Sequence, residues 1–178
     1  MHHELLLPDL DEDAEALEVV MHHEAPAAYV KRVTQLKLDA ALLRLQRRGL
    51  PAAPVLCSDT TVAYGRTIYG KPADAADATR ILMELSGKTH RVLTAVALGT
   101  AQQREQIVCE SRVTFAAMSP RQIQAYVDSN EPMEKAGAYA VQGRAAAFIS
   151  HMSGSYSGIM GLPMFETAQL LLSFGFEV

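Results

Sequence analysis

The chain reads as an α/β protein, and three observations carry that reading. Helical periodicity alternates with short β-rich runs from one end to the other. Two neighbouring β-rich segments, 89–99 and 105–116, are joined by the polar stretch 100–104 as a hairpin would be, so the sheet is expected to be mixed rather than purely parallel. Of the 178 residues, 49% are apolar and 20% charged, enough for one domain with a sizeable core.

In order along the chain, Glu4-Leu5-Leu6-Leu7-Pro8 is expected as a short apolar strand running into Asp9-Leu10-Asp11-Glu12-Asp13. Carboxylates so close together repel one another and favour a solvated loop, unless a metal ion or basic groups face them. The spacing predicts a long helix over 26–48, with Pro26 in its first turn, Arg47 and Arg48 in its last and Gly49 to end it. At about 100° per residue, Tyr29, Val30, Val33, Leu36 and Ala40 share one face, and Lys37 falls inside that stripe. The apolar run 54–57 and the β-branched and aromatic residues of 60–64 form a strand that Gly65 and Gly70 interrupt. A second helix is expected over 73–85, closed by Ser86-Gly87. Ser119-Pro120-Arg121-Gln122 has the form of a capping box with proline at the first helical position, opening a helix to about 128. Beyond Asn130-Glu131-Pro132, the small residues of 135–144 permit close backbone approach to a ligand. A strand over 145–149, a glycine- and serine-rich loop over 153–161 and a last helix over 163–172 complete the pattern.

Composition excludes several function classes. A net charge of −4 supplies no general basic field for a nucleic-acid polymer. No apolar stretch approaches the roughly 20 residues that span a bilayer, and the N-terminus lacks a secretory signal pattern, so a cytoplasmic protein is expected. Cys57 and Cys109 are too few for a disulfide scaffold and read as reduced, buried small hydrophobes. His2, His3, His22 and His23 have no metal-ligand spacing to a second cluster and read as loop residues.

Two segments concentrate the chemistry. Cys57-Ser58-Asp59-Thr60-Thr61-Val62 and Tyr69-Gly70-Lys71-Pro72 set a carboxylate and a lysine at the mouth of a buried strand. Ligands of open α/β sheets sit outside the carboxyl ends of strands, which suits Asp59; an Asp that caps the following turn is the plainer alternative. Lys37 must either snorkel out of the core or meet an anion such as a phosphate. An acid to handle a proton or a metal, and a cation to hold an anion, are what hydrolysis of a phosphoanhydride requires.

Taken together, these segments resemble the Maf family of nucleotide pyrophosphatases. The resemblance covers almost the whole chain and rests on Asp11-Glu12, Glu24 with Pro26, Tyr29-Val30-Lys31-Arg32, Lys37, Ser58-Asp59-Thr60, Gly70-Lys71-Pro72, Leu85-Ser86-Gly87-Lys88-Thr89-His90, Lys135-Ala136-Gly137-Ala138-Tyr139 and Gly161-Leu162-Pro163. It implies one inosine-triphosphatase-like domain over 1–178, a mixed sheet with flanking helices and two lobes around a central cleft. It also implies a homodimer and an enzyme dependent on magnesium or manganese that cleaves nucleoside triphosphates to the monophosphate and pyrophosphate. Carried over by motif, Asp59 is the general base, Glu12 and Asp59 are metal-site carboxylates, and Lys37 and Lys71 hold phosphate. Thr60 and Gln142 resemble the subgroup that acts on dTTP and UTP, where an amide can both donate to and accept from a pyrimidine edge.

The resemblance also implies an opening strand, a Ser-x-Ser-x-Arg-Arg phosphate loop and a first helix, and no segment of this sequence matches them. A late-assigned initiation codon, an omitted beginning and a natural truncation are the three readings of that difference, and weak turnover by the chain as written is the expectation. The rival from another class is a nucleotide-binding regulator of cell division that keeps the cleft without turnover.

Overall fold

A computed structural model describes residues 3–9, 12–13 and 15–177 of the chain; the expectations that fall on His2 and Asp11 lie outside the described residues. The first regular helix, α1 (Pro26–Arg47), begins with proline at its first position, where a missing N–H costs nothing, and ends before Gly49 at a φ of 62°. Strand β1 (Val55–Tyr64) turns at Gly65 into β2 (Thr67–Tyr69), and α2 (Ala75–Leu85) follows with Asp74 as its N-cap. Strands β3 (Thr89–Gly99) and β4 (Arg104–Phe115) form the long central hairpin. Helix α3 (Pro120–Val127) opens with the complete capping box of Ser119 and Gln122. Strand β5 (Ile149–Ser153), the single turn α4 (Tyr156–Ile159) and α5 (Met164–Ser173) are the last elements of the described residues.

The strands lie in the order β2-β1-β3-β4-β5, and every pairing is antiparallel, which corrects the expectation of a mixed sheet. The cause is local. Both β1–β2 and β3–β4 are hairpins of consecutive strands, and α2 carries the chain across to the other side of β1, where β3 enters antiparallel. Because successive side chains point to opposite faces, Ala63, Leu93 and Ala95 meet Tyr29, Val30 and Val33 of α1 on one face. Val62, Val92, Val113 and Phe115 meet Ile81, Leu82 and Leu85 of α2 and Ile123, Tyr126 and Val127 of α3 on the other. Sequence periodicity misplaces the α1 stripe slightly: its buried residues continue through Thr34, Leu38 and Ala41, while Leu36 and Ala40 lie at the margin.

Two further expectations are corrected. Residues 3–9 form no strand, because the carbonyls of Leu6 and Leu7 accept from Arg44 and Arg48 of the α1 end rather than from a neighbouring strand. The segment expected as a strand over 145–149 is instead the 3-10 helix Arg144–Phe148, whose alanines suit a helical turn, and the strand begins at Ile149. No helix among the described residues is long and apolar enough to cross a membrane.

Beneath the sheet's α2 face, His90, Phe115 and Tyr139 stack edge to face with centroids 4.9 to 5.4 Å apart, and His90 Nε2 lies 2.9 Å from the Tyr139 hydroxyl. Burial at 1% exposure pushes the imidazole down to about 4. An unfolded chain therefore takes up this proton near pH 6.5 while the native one refuses it until about pH 4. Stability tied to His90 is full above pH 6.5 and is lost as pH falls toward 4, by about 3 kcal/mol in all. Urea midpoints measured between pH 7 and 4.5 are expected to fall more steeply for the native protein than for His90→Gln; parallel slopes would remove His90 as the cause.

Candidate active site

Asp59 occupies the fifth position of β1, opposite Ala95 of β3, and so points to the α1 face of the sheet. Asp59 thus lies within the strand, as the flanking residues lead one to expect, and reaches the cleft from mid-strand rather than from a carboxyl end. There it meets Lys37, which does not snorkel: its ammonium lies 2.5 Å from Asp59 Oδ1 and 2.7 Å from Glu18 Oε1. Glu18 belongs to the 3-10 helix Glu15–Glu18, whose last carbonyl accepts from the Tyr29 hydroxyl at 2.9 Å. One lysine therefore faces two carboxylates. Burial, the largest influence on Asp59, pushes its carboxyl above the usual carboxylate range; Lys37 opposes this and Glu18 adds to it. For Lys37, burial works against the charge, but Asp59 and Glu18 together outweigh it and hold the ammonium above its usual range.

A cleft of about 340 Å³ opens beside this triad. It exists because β2 pairs only with Val62–Tyr64, leaving the outer edge of 55–61 without a strand partner among the described residues. Side chains from both faces of β1, Asp59 on one and Thr60 on the other, consequently reach the same space. Lys71, just after β2, enters half-exposed with Glu15 at 3.4 Å and Glu134 at 3.8 Å. Glu18, Asp59 and Glu134 against Lys37, Lys71 and Lys135 make the lining neutral overall.

The far wall is the segment 134–142. Gly137, at a φ of 70°, donates its N–H to Gly70 O and lies so close to β1 that a Cβ there would come within 2.7 Å of Val62. Only glycine fits that approach. Gln142 stands at the end of this wall and lines the cleft with Ala140 and Val141. Opposite, the Thr94 hydroxyl donates its single proton to Gly158 O at 2.7 Å. In the 2.9 Å contact between Thr60 and Thr94, Thr60 must then be the donor, so toward the cleft the Thr60 hydroxyl can only accept. Ser58 donates to Gly161 O and closes this end.

Asp59, Lys37, Lys71, Thr60 and Gln142 thus share one cleft. Glu12 is the site residue that does not join them. Its carboxylate is gripped by Arg44, with Nε at 2.9 Å and a terminal nitrogen at 2.5 Å, and this hydrogen-bonded fork brings it down to about 2. The basic groups facing the acidic segment are Arg44, on Glu12, and Arg48, on Asp9, and Glu18 takes the cleft position instead. Sequence reasoning missed Glu18 and Glu134; the signal available for Glu18 was an acidic pair, Glu15 and Glu18, one turn apart just before α1. Cys57, read as buried, is partly exposed, while Cys109 is buried, and both are free.

A sheet with helices on both faces, and a carboxylate and two lysines converging beside a strand edge that has no strand partner among the described residues, define a class of small α/β proteins with a charged cleft. The family model described as Maf-like protein matches residues 1–174, and the chain belongs to the Maf family. It is 83% identical over 178 residues to a protein of Albidiferax ferrireducens named dTTP/UTP pyrophosphatase, covering 100% of this chain and 89% of that protein. Similarity extends at 62% identity to a Polaromonas protein of the same name, with 100% and 88% of the two chains covered. A Cupriavidus pinatubonensis protein, again so named, is 58% identical over 171 residues, 96% of this chain and 86% of its own.

Proposed function

We propose that this protein hydrolyses nucleoside triphosphates, dTTP and UTP foremost, to the monophosphate and pyrophosphate by cutting the α–β phosphoanhydride. The observation that carries the reading is one buried carboxylate, Asp59, sharing a cleft with Lys37 and Lys71; the names of the relatives supply the substrate class. Asp59 takes the proton of the attacking water on the carboxylate oxygen that Lys37 does not hold. Lys37 and Lys71 exchange their carboxylate partners for phosphate oxygens and hold the charge that builds on them.

A neutral lining cannot balance a triphosphate, and this favours a divalent cation, magnesium or manganese. Asp59 and Glu18 already converge on one cationic position, and two carboxylates completed by substrate oxygens and water are a donor set that magnesium accepts. Such an ion, when bound, supplies Lewis-acid polarisation of the phosphoryl group. Glu12 serves the same site through Arg44, which anchors the segment carrying Glu15 and Glu18 to α1.

For the base, Thr60 offers an acceptor only, suited to the ring N–H of uracil or thymine and unsuited to the unprotonated ring nitrogen of cytosine. Gln142 supplies a donor and an acceptor to the same edge. We read residues 1–178 as one inosine-triphosphatase-like domain of a cytoplasmic homodimer, its two lobes carrying the α1 wall and the 134–142 wall. The exposed apolar side chains Tyr156, Met160, Met164 and Phe165 supply a surface for self-association.

Pyrophosphate release measured over a panel of nucleoside triphosphates, with magnesium or manganese, tests the reading. UTP and dTTP are expected to lead. Binding without turnover would favour a regulator that keeps the cleft. Thr60→Val and Gln142→Ala are expected to lower the kcat/KM preference for UTP over CTP by about tenfold with little change in kcat; an equal fall for all nucleotides would contradict their role.

A further inference from the structure

The turn that carries Gln142 is not held by its own backbone alone. Gly143 N–H closes it on Ala140 O at 3.0 Å, but both its ends are tied to a second element. At the near end, Ala140 N–H donates to the Tyr126 hydroxyl at 3.3 Å. At the far end, Arg144 N–H donates to Glu131 Oε2 at 3.1 Å. The two anchors are themselves joined, since the Tyr126 hydroxyl donates its proton to Glu131 Oε1 at 3.0 Å. Each proton and each acceptor is used once, so the network has a single consistent direction from the turn to the carboxylate.

Packing makes this anchor specific. A Cβ on Gly143 would come within 2.2 Å of Glu131 Oε1, so the carboxylate lies directly against the turn backbone. Tyr126 is 3% exposed at the end of α3, a rigid element packed into the core. Neither Glu131 nor Tyr126 lines the cleft, whereas Ala140, Val141 and Gln142 do. Asp59, Lys37 and Lys71 reach the cleft from α1, β1 and the end of β2 and share no hydrogen bond with this network.

We propose that Glu131, through Tyr126 and the Arg144 N–H, is the positioning residue that fixes the Ala140–Gly143 turn and so sets which nucleotide base the cleft accepts, without acting on the phosphates. The inference rests on the reading of this cleft as a nucleotide site. Glu131→Gln keeps size but offers one acceptor oxygen to two donors, so either the Arg144 N–H or the Tyr126 hydroxyl proton is left against an amide N–H, and Tyr126→Phe removes the bridge while keeping the ring. Each is expected to lower the UTP over CTP preference by about tenfold, through KM, with kcat changed less than about twofold. Added to Gln142→Ala, either change is expected to cost little more preference, because both act through the same side chain.

Steady-state kinetics on UTP, CTP and GTP, together with calorimetric binding of the corresponding non-hydrolysable α,β-imido analogues, reads this on the full chain. Preserved nucleotide ratios in both variants, whatever happens to their thermal midpoints, would overturn the proposal and leave the pyrophosphatase reading intact. A kcat collapse common to all three nucleotides would overturn it too, by placing Glu131 with the reaction rather than the base. Should the unmodified protein bind none of the analogues and cleave none of the nucleotides, the functional reading itself fails, and this inference with it.

Discussion

Asp59→Asn is expected to leave nucleotide binding in place and to cut pyrophosphate release by about 10² to 10⁴, the range that a positioned general base contributes. The substitution is nearly isosteric, so the β1 backbone and the Ala95 register need not change. It does change the electrostatics: Lys37 loses one of its two carboxylates and turns to Glu18 alone. A freed lysine should bind phosphate no worse than before. Single-turnover rates and equilibrium binding of the same nucleotide separate the two effects. Loss of binding equal to the loss of rate would show that Asp59 holds the substrate complex rather than the proton.

Lys37→Met carries the second large effect, and it has two parts. Removing a charged hydrogen-bond donor to phosphate is expected to raise KM by roughly ten- to hundredfold. Removing the cation that opposes burial at Asp59 also lets the carboxyl rise further. Because a base must be ionised to act, kcat/KM falls as pH drops through the Asp59 pKa. In Lys37→Met the limb is expected to move to higher pH. A pH–rate profile whose acid limb stays fixed while KM rises would keep Lys37 as a phosphate ligand but detach it from the base.

Side-chain chemistry and short-range pattern made much of the scaffold legible. The capping box at Ser119, the proline-started α1, the hairpin of β3 and β4 and the strand through Asp59 all follow from local rules, and all stand where the pattern placed them. Local rules failed where a distant partner decided. Leu5 to Leu7 have the composition of a strand, yet Arg44 and Arg48, some forty residues away, take the carbonyls of Leu6 and Leu7. The apolar run 145–149 is expected as a strand, but the close turn at Gly143 and the run of alanines favour a 3-10 helix.

By itself the sequence determined the class of fold, its family and the residue types of the cleft, because periodicity, caps and short motifs are properties of neighbours along the chain. Tertiary structure alone decided that Glu18 rather than Glu12 faces Lys37, that Thr60 can only accept, and that Glu131 grips the Gln142 turn. Those outcomes depend on which donor meets which acceptor across separations of 13 to 64 residues. Burial then amplifies each choice, since a carboxylate or hydroxyl taken from water must be satisfied by whatever the fold has brought within reach.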